Sequence, residues 1–214
     1  NLFIVEKDTD ELPEECDMEA LICEMVAISD MGIKLSGNIV ECSVVAQSTH
    51  ISKMFISEHR SLKQSYVYSE GNVSVIVSDS NGNKFSYKGI SGLCGPEMFR
   101  GLKDVLSEAA DTAMELLRSE RIIPGEYEVI TSPEVTGLIA HEAFGHGVEM
   151  DMFVKERALG KEYIGKRVGS DLVTMHEGAL CADNVTSYAF DDEGVLAGDV
   201  TEIEKGILRT GICD

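Results

Sequence analysis

The sequence predicts an α+β fold: an antiparallel β-meander with long amphipathic helices, followed by a site-bearing helix and further β-hairpins. Three observations carry this expectation. Segments between residues 39 and 90 are rich in Val, Ile, Ser and Tyr and largely alternate in polarity, the pattern of a sheet with one wet face. The stretches on either side of them repeat apolar residues at helical spacing. Finally, residues 141–146 place two histidines and a glutamate inside an apolar helical pattern.

Taken in order, residues 13–31 read as a helix. Glu14 and Glu15 favour its start, Ala20, Leu21, Met25 and Ile28 recur on one face, and Gly32 suits its end. The period then shortens. Residues 39–47, 50–57, 62–69, 73–78 and 84–90 read as strands, with Gly71-Asn72 and Asn81-Gly82 as punctuation. His50 and His59 fall among them as exposed strand residues. Residues 91–96 form a Gly-rich turn without a P-loop or dinucleotide pattern. Residues 97–120 are an amphipathic helix with Leu102, Val105, Ala109, Ala113, Leu116 and Leu117 on its buried side.

Pro124-Gly125 marks a boundary, dividing the chain into residues 1–123 and 124–214. Residues 126–131 read as a short strand and residues 134–149 as a helix. Residues 151–169 are charged and Gly-punctuated, a long loop over the site. Lys155, Arg157, Lys161, Lys166 and Arg167 concentrate there, as a substrate-facing patch or a solvated loop. Residues 180–190 and 200–213 return to strand character, with Lys205-Gly206 as a hairpin turn.

At 214 residues and 43% hydrophobic content the chain can bury a real core. A net charge of −20, from 38 acids against 18 bases, argues against nucleic-acid backbone or an anionic membrane as a direct partner. The six cysteines form no C-x-x-C pair and read as reduced, buried thiols of a cytoplasmic protein. No apolar run approaches a membrane span.

The segment His141-Glu142-Ala143-Phe144-Gly145-His146 supplies the parts of a catalytic zinc site. Imidazole is the commonest zinc ligand, and a nearby carboxylate can take a proton from water. The spacing is H-E-x-x-x-H, one residue longer than the H-E-x-x-H in which both histidines share a helical face. On a regular helix, residues five apart point roughly 140° away from each other. A single π-type turn would reunite them, and Gly145 and Gly147 tolerate it. The spacing therefore predicts a widened turn at residues 144–146. The alternative is a core helix carrying two satisfied histidines. Against it stands the cost of setting these groups beside Val135, Leu138, Ile139 and Phe144 without a metal or a partner.

From Gly137 the text runs Gly-Leu-Ile-Ala-His-Glu-Ala-Phe-Gly-His-Gly-Val-Glu-Met-Asp. It resembles the TldD/PmbA family, specifically the TldD-like members with an H-E-x-x-x-H motif. Residues 168–174, 190–195 and 204–208 are similar to that family's following segments, and residues 73–77 and 97–120 fit its central region. The resemblance implies a zinc-dependent peptidase acting on peptides or unfolded segments, with Zn2+ held by His141 and His146 and with Glu142 as general base. It also implies a homodimer, or a heterodimer with a paralogue lacking the motif. The family's third zinc ligand is a downstream cysteine to which neither Cys181 nor Cys213 corresponds. The chain is therefore expected to be an internal fragment of low activity, with Glu149, Asp151, His176 and Glu177 as the local candidates for a substitute ligand, although His176-Glu177 reads first as a polar loop pair. The other reading is a non-catalytic peptide-binding or regulatory module, such as a modulator of DNA gyrase.

Overall fold

A computed structural model describes residues 2–80 and 82–213. The chain forms two compact units, one of residues 1–122 and 183–194 and one of residues 123–182 and 195–214. The architecture is α+β, as the alternating and helical patterns predict.

In the first unit, β1 (Leu2–Glu6), β2 (Ile39–Ile56), β3 (Ser61–Asp79) and β4 (Gly82–Gly92) form one sheet. The long β3 is its spine. β2 pairs antiparallel along nearly all of one edge, from Ile39↔Val77 to Ile56↔Ser61. The other edge is shared by β1, parallel over Ser61–Ser65, and β4, antiparallel over Ser69–Asp79.

Five expected strand segments thus merge into three strands, and Gly71 does not break β3. It stands opposite Ala46 in the ladder. A Cβ there would lie 3.1 Å from a methyl of Leu102, so the bare backbone admits a helix rather than a turn. Asn81, half of the other expected turn, lies outside the described residues.

Helices α1 (Met18–Lys34) and α2 (Leu102–Leu117) pack on the sheet, α1 against β2 and α2 against β3 and β4. Period-2 alternation along β3 turns Val73, Val75 and Val77 into the core, where they meet Leu102, Leu106, Ala109, Ala113 and Ile28. The alanines keep α2 close to the sheet.

Asp17 caps α1, its carboxylate accepting from the Ala20 N–H at 3.1 Å. The helix starts there, after a short 3-10 turn at Pro13–Glu15, and runs past the expected stop at Gly32 to Lys34. Gly32 is buried inside the helix, and a Cβ on it would collide with the Cys42 thiol. Gly32→Ala is therefore expected to destabilise the chain by about 1–3 kcal/mol in a urea melt, despite alanine's better helix propensity. An unchanged midpoint would show that β2 gives way there.

The buried face of β3 changes partway along. Leu62 and Gln64 are buried on one side and Val67 to Val77 on the other. Residues 183–194 return to this unit and meet Gln64. Its Nε2 donates to the Phe190 carbonyl at 2.8 Å, and its Oε1 accepts from the Ala189 N–H at 2.7 Å. Both ends of a buried amide are thus satisfied.

The expected strand at residues 180–190 is absent. The Asn184 side chain accepts from the Thr186 N–H, and its carbonyl accepts from the Ser187 N–H, so local turn bonds replace a ladder. His50 also departs from expectation. It is half-buried, with Nδ1 2.7 Å from Glu14 Oε1 and Nε2 2.9 Å from Ser65 Oγ. His59 lies in the loop between β2 and β3 and is exposed, as expected in all but its strand.

The second unit holds α3 (Pro133–Ala140), α4 (Met150–Val154) and a small sheet of β5 (Met175–Glu177), β6 (Val200–Glu204) and β7 (Ile207–Leu208). Its core is Val148, Phe153, Ile203 and Leu208. Lys205 and Gly206, with φ of 46° and 79°, make the two-residue turn that the sequence predicts. Residues 126–131 form no strand. No described segment pairs with them, and Val129 and Ile130 are exposed.

The cysteines are free, but Cys42 alone of the six is buried. Cys23, Cys181 and Cys213 are exposed, because an apolar neighbour in sequence does not fix which face a residue occupies. No described helix is long and apolar enough to cross a membrane.

Candidate metal centre

Ser132 opens the site. Its side chain caps α3 by accepting from the Val135 N–H, Pro133 supplies the first helical residue, and Glu134 complements the helix dipole. After Ala140 the helix widens. Residues His141–Gly145 form a π-turn, closed by the His146 N–H donating to the His141 carbonyl five residues back. A 3-10 turn, His146–Val148, follows. The predicted widening is present and begins three residues earlier than the spacing argument places it.

The consequence is geometric. The rings of His141 and His146 stand edge to face with centroids 4.6 Å apart. Donor atoms of His141, Glu142 and His146 all lie within 4.8 Å of one another. Zinc takes imidazole nitrogen at about 2.0–2.1 Å in a tetrahedral set, which puts two ligand atoms about 3.3 Å apart, a separation these side chains reach by closing about 1.5 Å through their own rotations. Two imidazoles and a carboxylate are also the donor chemistry that zinc accepts. The residues present fit such an ion.

Glu149 has a different part from the one the sequence suggests. Its Oε1 lies 2.8 Å from His146 Nδ1. A carboxylate can only accept here, so Nδ1 carries the proton and Nε2 presents a lone pair. This hydrogen bond, and then the charge of Glu149, raise the His146 pKa above its ordinary value, with Glu142 adding a smaller push. Position i+3 from His146 was the available signal, and it was legible as a pairing distance on a helix.

Two of the other suggested substitutes, Asp151 and His176, are also engaged. Asp151 pairs with Lys155 at 2.6 Å, which holds its carboxyl below the usual range. His176 Nδ1, on β5, lies 2.8 Å from Asp199, which immediately precedes β6. The cluster holds no cysteine.

The segment after the motif is stitched in place. The Met150 N–H donates to the Ile212 carbonyl at 3.0 Å, and the Ile212 N–H to the Val148 carbonyl at 2.9 Å. Val148 and Phe153 anchor this turn in the core, and Phe144 packs against the same cluster. Val135, Leu138 and Ile139 do not: they are exposed, and no residue of α3 is buried. The cost of burying the histidines, which favours metal on sequence grounds, therefore does not arise here. The case for metal rests on the convergence of the three donors.

Residues 124–214 match the model of the PmbA/TldA metallopeptidase C-terminal domain. Over this stretch the chain belongs to the TldD/PmbA family. A metalloprotease of Methanocaldococcus jannaschii is 33% identical over 135 residues, which is 63% of this chain and 30% of that protein. A protein of Saccharolobus solfataricus named as a zinc metalloprotease TldD homolog is 32% identical over 53% of this chain and 25% of its own length. A solved structure from Thermotoga maritima, named as a proposed modulator of a DNA gyrase, superposes with a TM-score of 0.84 at 18% identity. It covers 97% of this chain and 48% of that one, and so attests the fold. The chain spans about a third of the length of the curated relatives it matches. Those relatives are metalloproteases by name.

Proposed function

We propose that the protein carrying this chain is a zinc-dependent peptidase of peptides or unfolded segments, with His141 and His146 as metal ligands and Glu142 as general base. The observation that carries the reading is the π-turn, which brings two histidines five residues apart onto one side with Glu142 between them. A zinc ion bound there supplies Lewis-acid polarisation of the scissile carbonyl and makes water a better nucleophile.

The chain's own residues do the rest. Glu142 is exposed and stands within the donor cluster, where its carboxylate can take a proton from an attacking water and return it to the leaving amine. His146 is held in one tautomer by Glu149, which keeps Nε2 free to bind. A catalytic zinc site ordinarily has three protein ligands and one open position. If Glu142 filled the third place it could not also move protons, so residues 1–214 alone should hydrolyse peptides only slightly. In the same reading the working assembly is a dimer, with itself or with a paralogue lacking the motif.

Glu149→Gln tests the reading. It keeps the shape but weakens the hydrogen bond that orients His146, and should lower zinc affinity about 10–100-fold by competition against a chelating dye. An unchanged affinity would remove Glu149 and the proposed tautomer from the account.

A further inference from the structure

A cavity adjoins the donor cluster, and the peptidase reading leaves it without a role. It encloses about 640 Å³, within the range of roughly 300–1,000 Å³ usual for ligand sites. His146 belongs both to the donor cluster and to the cavity wall. Phe144 and Val148 come from the turns around the motif, and Leu159 and Tyr163 from the segment after α4. The lining is thus mainly apolar.

Its charge is unlike that of the chain. Of the described residues that line it, none is acidic, and Arg157 and Arg167 are both present. The protein as a whole has 38 acids against 18 bases. Arg167 is engaged, its Nη1 donating to the carbonyls of Gly169 at 3.1 Å and Lys205 at 3.3 Å. Arg157 is exposed, and its side chain makes no salt bridge among the described residues. Its position is fixed by the backbone. Glu156 turns the chain with a φ of 54°, and the Arg157 N–H donates to the Met152 carbonyl at 2.9 Å. A guanidinium in that state is a fork for a carboxylate, which it can bind through two parallel hydrogen bonds.

We infer that this cavity is the substrate-selecting site beside the His146 cluster, and that Arg157 selects peptides in which a carboxylate lies next to an apolar residue. The inference rests on the peptidase reading for the adjoining site. The carboxylate can be an Asp or Glu side chain or the free carboxyl end of a peptide. Both present the same group to the guanidinium. Arg157 is here a specificity residue, with no part in moving the proton.

The test is fluorescence anisotropy of labelled apolar hexapeptides, in buffer without zinc, on the chain and on Arg157→Glu. Four peptides suffice: a neutral amide, the same sequence with a free carboxyl end, an amide with one internal Glu, and an amide with one internal Lys. At least one carboxylate peptide should bind about tenfold or more tightly than the neutral amide, and the source of the carboxylate follows from which one. Arg157→Glu should abolish that preference and favour the Lys peptide. Equal affinities across the wild-type series, absence of binding, or an unchanged order in the variant would overturn the inference. The wild-type series decides even where the variant folds poorly. Hydrolysis of the same peptides by the whole protein separates the two ideas. Cleavage blind to charge sinks the selection site and spares the peptidase, whereas selective binding without cleavage does the reverse.

Discussion

Glu142→Gln is expected to lower peptide hydrolysis by the whole protein about 10²–10⁴-fold while zinc remains bound. Glutamine matches the shape of glutamate but cannot accept the proton of an attacking water. His141 and His146 are untouched by the change, and the π-turn that aligns them is made by backbone bonds. Rate and metal content must be measured on the same preparation. A variant that loses zinc together with activity would make Glu142 a ligand. Full activity with zinc bound would remove the general base from the account.

Glu202→Leu is expected to stabilise the chain, and to do so mainly at high pH. Glu202 lies at an irregularity of β6, where the register slips between Met175↔Ile203 and His176↔Thr201. It is 1% exposed, and neither carboxyl oxygen has a hydrogen-bond partner among the described residues. Burial, and then the neighbouring Glu177 carboxylate, push its pKa up to about 7 from 4.5. A group whose folded pKa lies above its unfolded value binds more protons in the folded state between the two. Stability therefore falls as pH rises through that window. At 1.36 kcal/mol per pH unit, the loss attributable to Glu202 approaches roughly 3 kcal/mol above pH 7. Leucine removes it. Urea melts at pH 5 and pH 8 should show a small difference between variant and wild type at the lower pH and a gain of about that size at the higher. An equal gain at both would mean that packing, and not ionisation, explains the effect. A loss at both would mean that the carboxylate has a partner.

The parts of the fold legible in the sequence were those set by local periodicity. Helix α2 and the alternation of β3 follow from where Leu102 to Leu117 and Val73 to Val77 fall. The Lys205-Gly206 turn follows from its own residues. Tertiary contact decided the rest. Gly71 and Gly32 read as breaks but serve as points of close approach, to Leu102 and Cys42. The parallel pairing of β1 with β3 joins residues about 60 apart, and no local pattern announces it. Asn184 redirects an apolar stretch into turns through its own side chain.

The candidate site was more legible than its surroundings, because its geometry is made within six residues. A five-residue spacing between histidines has few helical solutions, and the π-turn is one of them. What the motif could not convey was the exposure of α3. Glu202 is the exception to period-2 alternation in β6. Simple alternation would put it on one face with the exposed Glu204, and the irregularity in β6 buries it.

Zinc titration of the chain beside His141→Ala and His146→Ala, by calorimetry at neutral pH, tests the central claim most directly. Exposed thiols and carboxylates can bind zinc nonspecifically, so the difference between proteins is the quantity that matters. The account predicts one site in the parent chain whose affinity falls at least tenfold in either variant. Matching isotherms for all three proteins would contradict it.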